Sequence, residues 1–437
     1  MTNKSFFHPA KFPIFYGYAI VLVGTIGMWA SLPGQTVGVS TFTDPVKNAL
    51  GLSRDQFSAA YMLGTILSSL FIGAAGRWFD KYGARVVAAG SALVLSLGLF
   101  IASYADVMSE NIQTLIDIQH WLVPFVLMVA LFFVFRFSGQ GVLTLSSRNM
   151  VMKWFERYRG RVNAFSALAI SMGFSISPVL IDKLIIGYNW NGAWQFMSLS
   201  LLLITGLIIL TFRDNPEKYG LVPDGCKGCK DSKTIEGKDL RSFEPQEAFK
   251  TRAFWMYSLI LAFNSFFITG LTFHIVSIFS ESGFARADAI SIFIPMSVVS
   301  VTVSLFFNFM SDWVHLRVLL YIMIFGGFLA AAGLVAMELG WGLYLLIVGQ
   351  GISAGLFAVL NAIAWPRLFG RKYIGTISGK AMSMIVFSSA LAPVAFSLSY
   401  TKLGSYSFVA IPSLVFIIFL AIASIRAKNP RLPEYDQ

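Results

Sequence analysis

Long apolar runs alternate with short polar turns along almost the whole chain. Residues 57–75 are apolar or small, Gly76 to Arg85 form a charged turn punctuated by glycines, and residues 86–104 carry no charge. A bilayer crossing takes roughly 20 apolar residues as a helix. The same rhythm predicts twelve spans, at 14–41, 56–76, 85–105, 121–147, 161–182, 193–212, 252–279, 288–311, 317–337, 341–365, 374–400 and 407–425. Backbone polar groups in lipid must be satisfied within the element, and segments of this length achieve that only as helices. The pattern therefore predicts an all-α membrane protein.

Composition sharpens this reading. Of 437 residues, 56% are hydrophobic and 13% charged, whereas a soluble domain carries about 25% charged residues. The net charge of +11 does not imply a nucleic-acid partner, because the basic residues lie in turns rather than on one solvated face. With the N-terminus inside, 26 of the 33 Lys and Arg fall in cytoplasmic segments. Five fall in outer loops (Lys47, Arg54, Lys183, Arg286, Lys402), and Arg136 and Lys380 lie within spans. The positive-inside rule then predicts a multi-pass protein with both termini cytoplasmic, and the plasma (inner) membrane is its expected location. The first span is too long for a signal-peptide core and lacks a small-residue cleavage site, so it is expected to be retained. Asn3-Lys4-Ser5 fits a glycosylation sequon but falls on the cytoplasmic side, where it has no meaning. The two cysteines, Cys226 and Cys229, have no second ligand pair and imply neither a disulfide framework nor a metal site.

The one long polar connection divides the chain into an N-terminal half (1–213), a cytoplasmic linker (214–251) and a C-terminal half (252–437). The halves echo each other. A shift of 232 residues places Gly51-Leu52-Ser53-Arg54 on Gly283-Phe284-Ala285-Arg286, and Asp80 on Asp312. Two parallel six-helix repeats match a standard architecture of secondary transporters.

Gly76-x-x-x-Asp80-Lys81-x-Gly83-x-Arg85 resembles the loop between helices two and three of the major facilitator superfamily. Leu131-x4-Arg136-x-x-x-Gln140-Gly141 resembles that superfamily's helix-four motif. The resemblance implies a major facilitator fold working by alternating access. It also implies a gating role for Gly76, Asp80, Lys81, Gly83 and Arg85, with Asp80 facing the N-terminal end of helix eleven. The second copy is eroded to Asp312, with Asn308 in place of the leading glycine. Asn215 to Gly225 and Leu368 to Gly375 look like the branch of monocarboxylate transporters and oxalate–formate exchangers. Carriers of that branch commonly hold an arginine in helix eight, where this chain has Ser304 and apolar neighbours, so the resemblance transmits no cargo. A lysine early in helix eleven recurs among oxalate–formate exchangers, and Lys380 falls within about one residue of that place.

Charge inside a bilayer is costly and rarely incidental. Arg136 lies about 22 Å along its helix, and Gln140, Thr144 and Arg148 follow at four-residue steps. Either Arg136 bonds carbonyls of a neighbouring helix, or it meets cargo. Lys380 either snorkels to the interface or faces a cavity. Since no Asp or Glu sits in the middle of any span, two cations without a carboxylate invite an organic anion, a mono- or dicarboxylate, bridged between Arg136 and Lys380. Gln140, Asn264, Gln350 and Asn361 complete the candidate site. They alone would suit the rival cargo, a sugar, nucleoside or zwitterion. A non-transporting sensor is a further alternative, with the short tails speaking against it. Proton coupling would run through Lys380 or His274, and exchange against a counter-anion is equally open. Gly351-Ile-Ser353-Ala-Gly355 matches a hydrolase nucleophile pattern in letters only, since that pattern needs a strand-to-helix elbow. It reads better as a helix-packing face. The chain is expected to be a monomer, with no cofactor, metal or enzymatic chemistry.

Overall fold

A computed structural model describes residues 8–116, 120–225, 241–284, 289 and 291–431. Lys4, Cys226, Cys229, Arg286 and residues 226–240 of the predicted linker lie outside the described residues. Among those described there is no strand. Eleven helices are long and apolar enough to cross a membrane. One of them, Arg159–Thr211, has 53 residues, about 80 Å of helix and enough for two crossings. Asn189, at φ 57° and ψ 174°, breaks it. The described residues thus form twelve spans: α1 (Gly17–Ser40), α2 (Arg54–Tyr82), α3 (Ala84–Ala102), α4 (Leu122–Trp154), α5 (159–188), α6 (190–211), α7 (Arg252–Glu281), α8 (Phe293–Met310), α9 (Leu316–Val335), α10 (Trp341–Phe369), α11 (Ile374–Leu403) and α12 (Ser407–Ser424).

Local sequence explains the ends. Ser53 and Gln56 form a reciprocal capping box that starts α2. Gly83, at φ 82°, lets α2 end and α3 begin with a single residue between them. Two connections differ from the sequence reading. The loop expected between residues 182 and 193 is helical except at Asn189, a residue type that tolerates positive φ. The stretch after α3 contains a further helix, Ala105–Ile116, whose polar and apolar residues alternate at helical rather than span-like spacing.

Contacts divide the chain into two compact units. The first comprises Met1–Glu156, Ala169–Lys227 and Ser378–Ser383. The second comprises Arg157–Leu168, Gly228–Ile377 and Met384–Gln437. Six residues of α11 thus group with the first unit, and the start of α5 with the second.

Small residues set the spacing in both units. In the first, α1 lies on α4, where Gly24 meets Val151 and Gly27 meets Ser147. In the second, a Cβ at Gly351 would stand 2.6 Å from the Val299 side chain, and one at Gly355 2.7 Å from the Ser300 carbonyl oxygen. Gly351-x-x-x-Gly355 is thus the face on which α10 packs against α8.

Candidate functional site

Two irregularities meet in the first unit. Pro33 opens a 3-10 turn, Leu32–Gly34, that interrupts α1. Opposite it, α4 widens to a π-helix over Arg136–Leu143. The chains nearly touch, since a Cβ at Gly139 would stand 2.8 Å from the Gly34 Cα. Arg136 fills this crossing and is 1% exposed. Its Nη1 donates to the Gly34 carbonyl at 3.1 Å and to Thr36 Oγ1 at 3.4 Å, while the guanidinium stands 5.1 Å from the Tyr61 ring centre. Arg136 thereby ties the broken segment of α1 to α4, the first of the two roles open to it in the sequence. Wide helical turns of this kind are frequent at functional sites.

The rest of the α4 stripe separates by partner. Thr144 Oγ1 donates to Ser31 Oγ at 2.9 Å and Gln35 Nε2 donates to Ser31 Oγ at 2.9 Å, so this level belongs to α1. Gln140 is half-buried, and its Oε1 is buried with no hydrogen-bond partner among the described residues. Arg148 is half-buried and likewise has no recorded polar or ring partner among them.

At the C-terminal end of α4, Lys153 pairs with Asp214 at 3.1 Å and lies 4.5 Å from the Phe79 ring centre. Asp214 also accepts from Lys218 Nζ at 3.0 Å and from the Ala84 backbone N–H at 3.3 Å. One carboxylate thus holds the start of α3, the end of α4 and the segment after α6, a clamp that the sequence reading missed. Burial, the largest single influence, pushes the Asp214 carboxyl up, but Lys153 and Lys218 outweigh it and hold it below the usual carboxylate range. A lowered acid pKa stabilises the fold above the unfolded value of about 3.9, and that contribution is lost as pH falls through the folded value. Asp214→Asn should therefore cost about 3 kcal/mol at pH 7. The gap between the variant and parent melting curves should close below about pH 4. A gap independent of pH would refute the assignment.

The predicted gating residues lie at the C-terminal end of α2 and the start of α3. Asp80 is half-buried, Lys81 is exposed with its ammonium 5.1 Å from the Tyr82 ring centre, and Arg85 opens α3. Gly76 meets α11: a Cβ at Gly379 would stand 3.0 Å from the Gly76 Cα and 3.3 Å from the Ile72 carbonyl oxygen. Beside it, Asn149 Nδ2 of α4 donates to Ser378 Oγ at 2.8 Å. In the second unit, Asp312 Oδ1 accepts from the Gly160 backbone N–H at 2.8 Å, and Asn163 Nδ2 donates to Asn308 Oδ1 at 2.7 Å. Burial is the main influence on Asp312 and raises its carboxyl above the usual value, against the Gly160 and Arg161 N–H groups that lower it. Asn308 stands where the first copy of the motif has glycine, and this contact with α5 is what the substitution supplies.

Lys380 is exposed and has no recorded polar partner among the described residues. Phe387, Leu391, Val394 and Leu398, all exposed, share its helical face. An apolar exposed stripe is what lipid covers, and Lys380 sits about 9 Å from the start of α11, within snorkelling reach of the interface. This placement favours the interfacial role over the cargo role.

The second unit brings Asn264 and Gln350 together, with Gln350 Nε2 donating to Asn264 Oδ1 at 3.2 Å. Asn361 is 8% exposed and makes no recorded hydrogen bond. His274 Nε2 lies 3.0 Å from the Pro393 carbonyl oxygen and its ring stacks near Phe396, so it knits α7 to α11.

Comparison with known proteins gives a match to the Major Facilitator Superfamily over residues 14–393. A riboflavin transporter, RibJ of Trypanosoma brucei brucei, is 26% identical over 194 residues, 44% of this chain and 32% of that protein. An oxalate:formate antiporter of Oxalobacter formigenes is 22% identical over 236 residues, 54% of this chain and 49% of its own length. The chain thus spans between a third and a half of these relatives. A bacterial homologue of the iron transporter ferroportin, solved in an outward-facing state with soaked iron, superposes with a TM-score of 0.67 at 12% identity, covering 94% of this chain and 98% of that one. At that identity the likeness is one of fold.

Proposed function

The chain belongs to the Major Facilitator Superfamily, whose members are membrane transporters, and from that premise we propose that it carries a small organic anion by alternating access. The supporting observation is the charge inside the spans. Away from the helix ends, the polar side chains of the first unit include Arg136, Gln140 and Arg148, and those of the second include Asn264, Gln350 and Asn361. Among the described residues the span carboxylates, including Asp55, Asp80 and Asp182, lie within about two turns of a span end, and none sits in the middle of a span. A cationic cargo would meet only repulsion in such an interior, whereas an anion supplies the missing countercharge. The partial likeness to an oxalate:formate antiporter agrees with this class. Transport as symport with protons or as exchange against a second anion follows equally from this charge pattern.

The Gly76–Arg85 turn and Asp312 act in this reading as the inner latches. The support is the seating of Gly379 on Gly76 and of Gly160 on Asp312. The buried amide pair Asn264–Gln350 favours a second reading, a neutral or zwitterionic cargo held by amides. Uptake into proteoliposomes separates the two. The panel is acetate, benzoate, oxalate, succinate, xylose, riboflavin and tetraethylammonium, run with and without a pH gradient and with and without internal anion. Carboxylate uptake is expected, stimulated by one of the two gradients. Preference for tetraethylammonium would sink the charge argument, and preference for xylose or riboflavin would select the amide reading.

A further inference from the structure

We infer that Arg148 is the residue that grips the anion, and that the cargo carries one carboxylate rather than two; this rests on the anion reading above. Every residue from Gly141 to Trp154 is buried except Arg148. The neighbours of α4 account for the other directions. Ser147 and Val151 face α1, Asn149 faces Ser378 of α11, and Lys153 faces Asp214 and Phe79. At about 100° per residue, Arg148 stands about 100° from Ser147, about 100° from Asn149 and about 140° from Lys153. It therefore points between the α1 face and the α11 face of α4, and it alone in this stretch keeps partial exposure. The side chain lies about 9 Å from the inner end of α4, level with the Asn149–Ser378 contact.

Arg148 differs from the other span cations, and Lys183 of α5, beside Asp182, is exposed. Arg136 is committed to Gly34, Thr36 and Tyr61, and Lys380 lies on an apolar exposed stripe. Arg148 has no recorded acid, carbonyl or ring beside it among the described residues. Its planar fork offers two parallel N–H donors, the geometry a carboxylate accepts. The second unit presents no Lys or Arg in the interior of its described spans. One free fork satisfies one carboxylate. A second carboxylate would be buried without a countercharge, which is costly.

The test uses the full chain in proteoliposomes with acetate, benzoate, oxalate and succinate as probes. The parent should take up a monocarboxylate with KM at least about tenfold below that for either dicarboxylate. Arg148→Gln should raise that KM by roughly 10- to 100-fold, the range expected for a lost charge-assisted contact. Arg148→Lys should recover part of it. With Cys226 and Cys229 replaced by serine, Arg148→Cys should regain uptake after 2-aminoethyl methanethiosulfonate, which restores a positive charge, and not after the neutral methyl reagent. A structural arginine would not respond in this way. If the parent moves no carboxylate, the anion reading itself fails. If the parent moves carboxylates but prefers the dicarboxylates, or Arg148→Gln keeps KM within threefold, or only turnover falls without rescue by the cationic reagent, the assignment to Arg148 is overturned.

Discussion

Replacing Arg136 with leucine should lower the melting temperature of the detergent-solubilised protein by several degrees and its expression with it. The guanidinium bonds both Gly34 and Thr36 at the α1 break, and it does so at 1% exposure. Losing two charge-assisted contacts and a cation–π contact should cost about 3 kcal/mol. Lysine should not rescue the variant, because a single ammonium cannot reproduce a fork that spans two acceptors at fixed angles. Thermal unfolding of the Leu, Lys and Gln variants checks this. Should Arg136→Gln melt normally yet lose transport, the residue would be a cargo contact instead.

Gly379→Leu is expected to reduce transport by more than tenfold while the protein still folds. The Cβ alone would press on the Gly76 Cα, the Gly76 N and the Ile72 carbonyl oxygen, at 3.0 to 3.3 Å, and these are backbone atoms that no rotamer change can move aside. Overpacking of this kind costs about 1–3 kcal/mol. Here the strain is relieved by parting α11 from α2 rather than by unfolding either helix. Relative to a state in which the two are apart, about 3 kcal/mol shifts the population roughly 100-fold. A cysteine at Ser378 in the same background should then label faster from the inner side. Unchanged transport with unchanged labelling would show that the Gly76–Gly379 contact has no part in the cycle.

The spans and their order were legible because a bilayer imposes length and apolarity on every crossing. Arg136 was legible as a costly residue, but its partner was not, since a π stretch and a proline-broken helix meet there through backbone geometry that no spacing records. Lys380 illustrates the opposite case. Its apolar neighbours at 387, 391, 394 and 398 are visible in the sequence and already mark the face, yet a cation in a span draws attention to itself rather than to its row. Asp214 went unread because it follows a span, in a segment whose composition suggests a linker. Only the fold shows that Lys153 and the start of α3 converge on it.

A helix that carries an ammonium on its lipid side cannot slide along the membrane normal, because moving Lys380 towards the bilayer centre costs roughly 2.5–3.5 kcal/mol. It can tilt at little cost as long as the charge stays among the head groups. A lysine held at head-group level in this way would make the Ile374 end of α11 the fulcrum of such a tilt. Any excursion of this helix is largest at its far end, beyond Pro393, where the chain reaches the opposite side of the membrane.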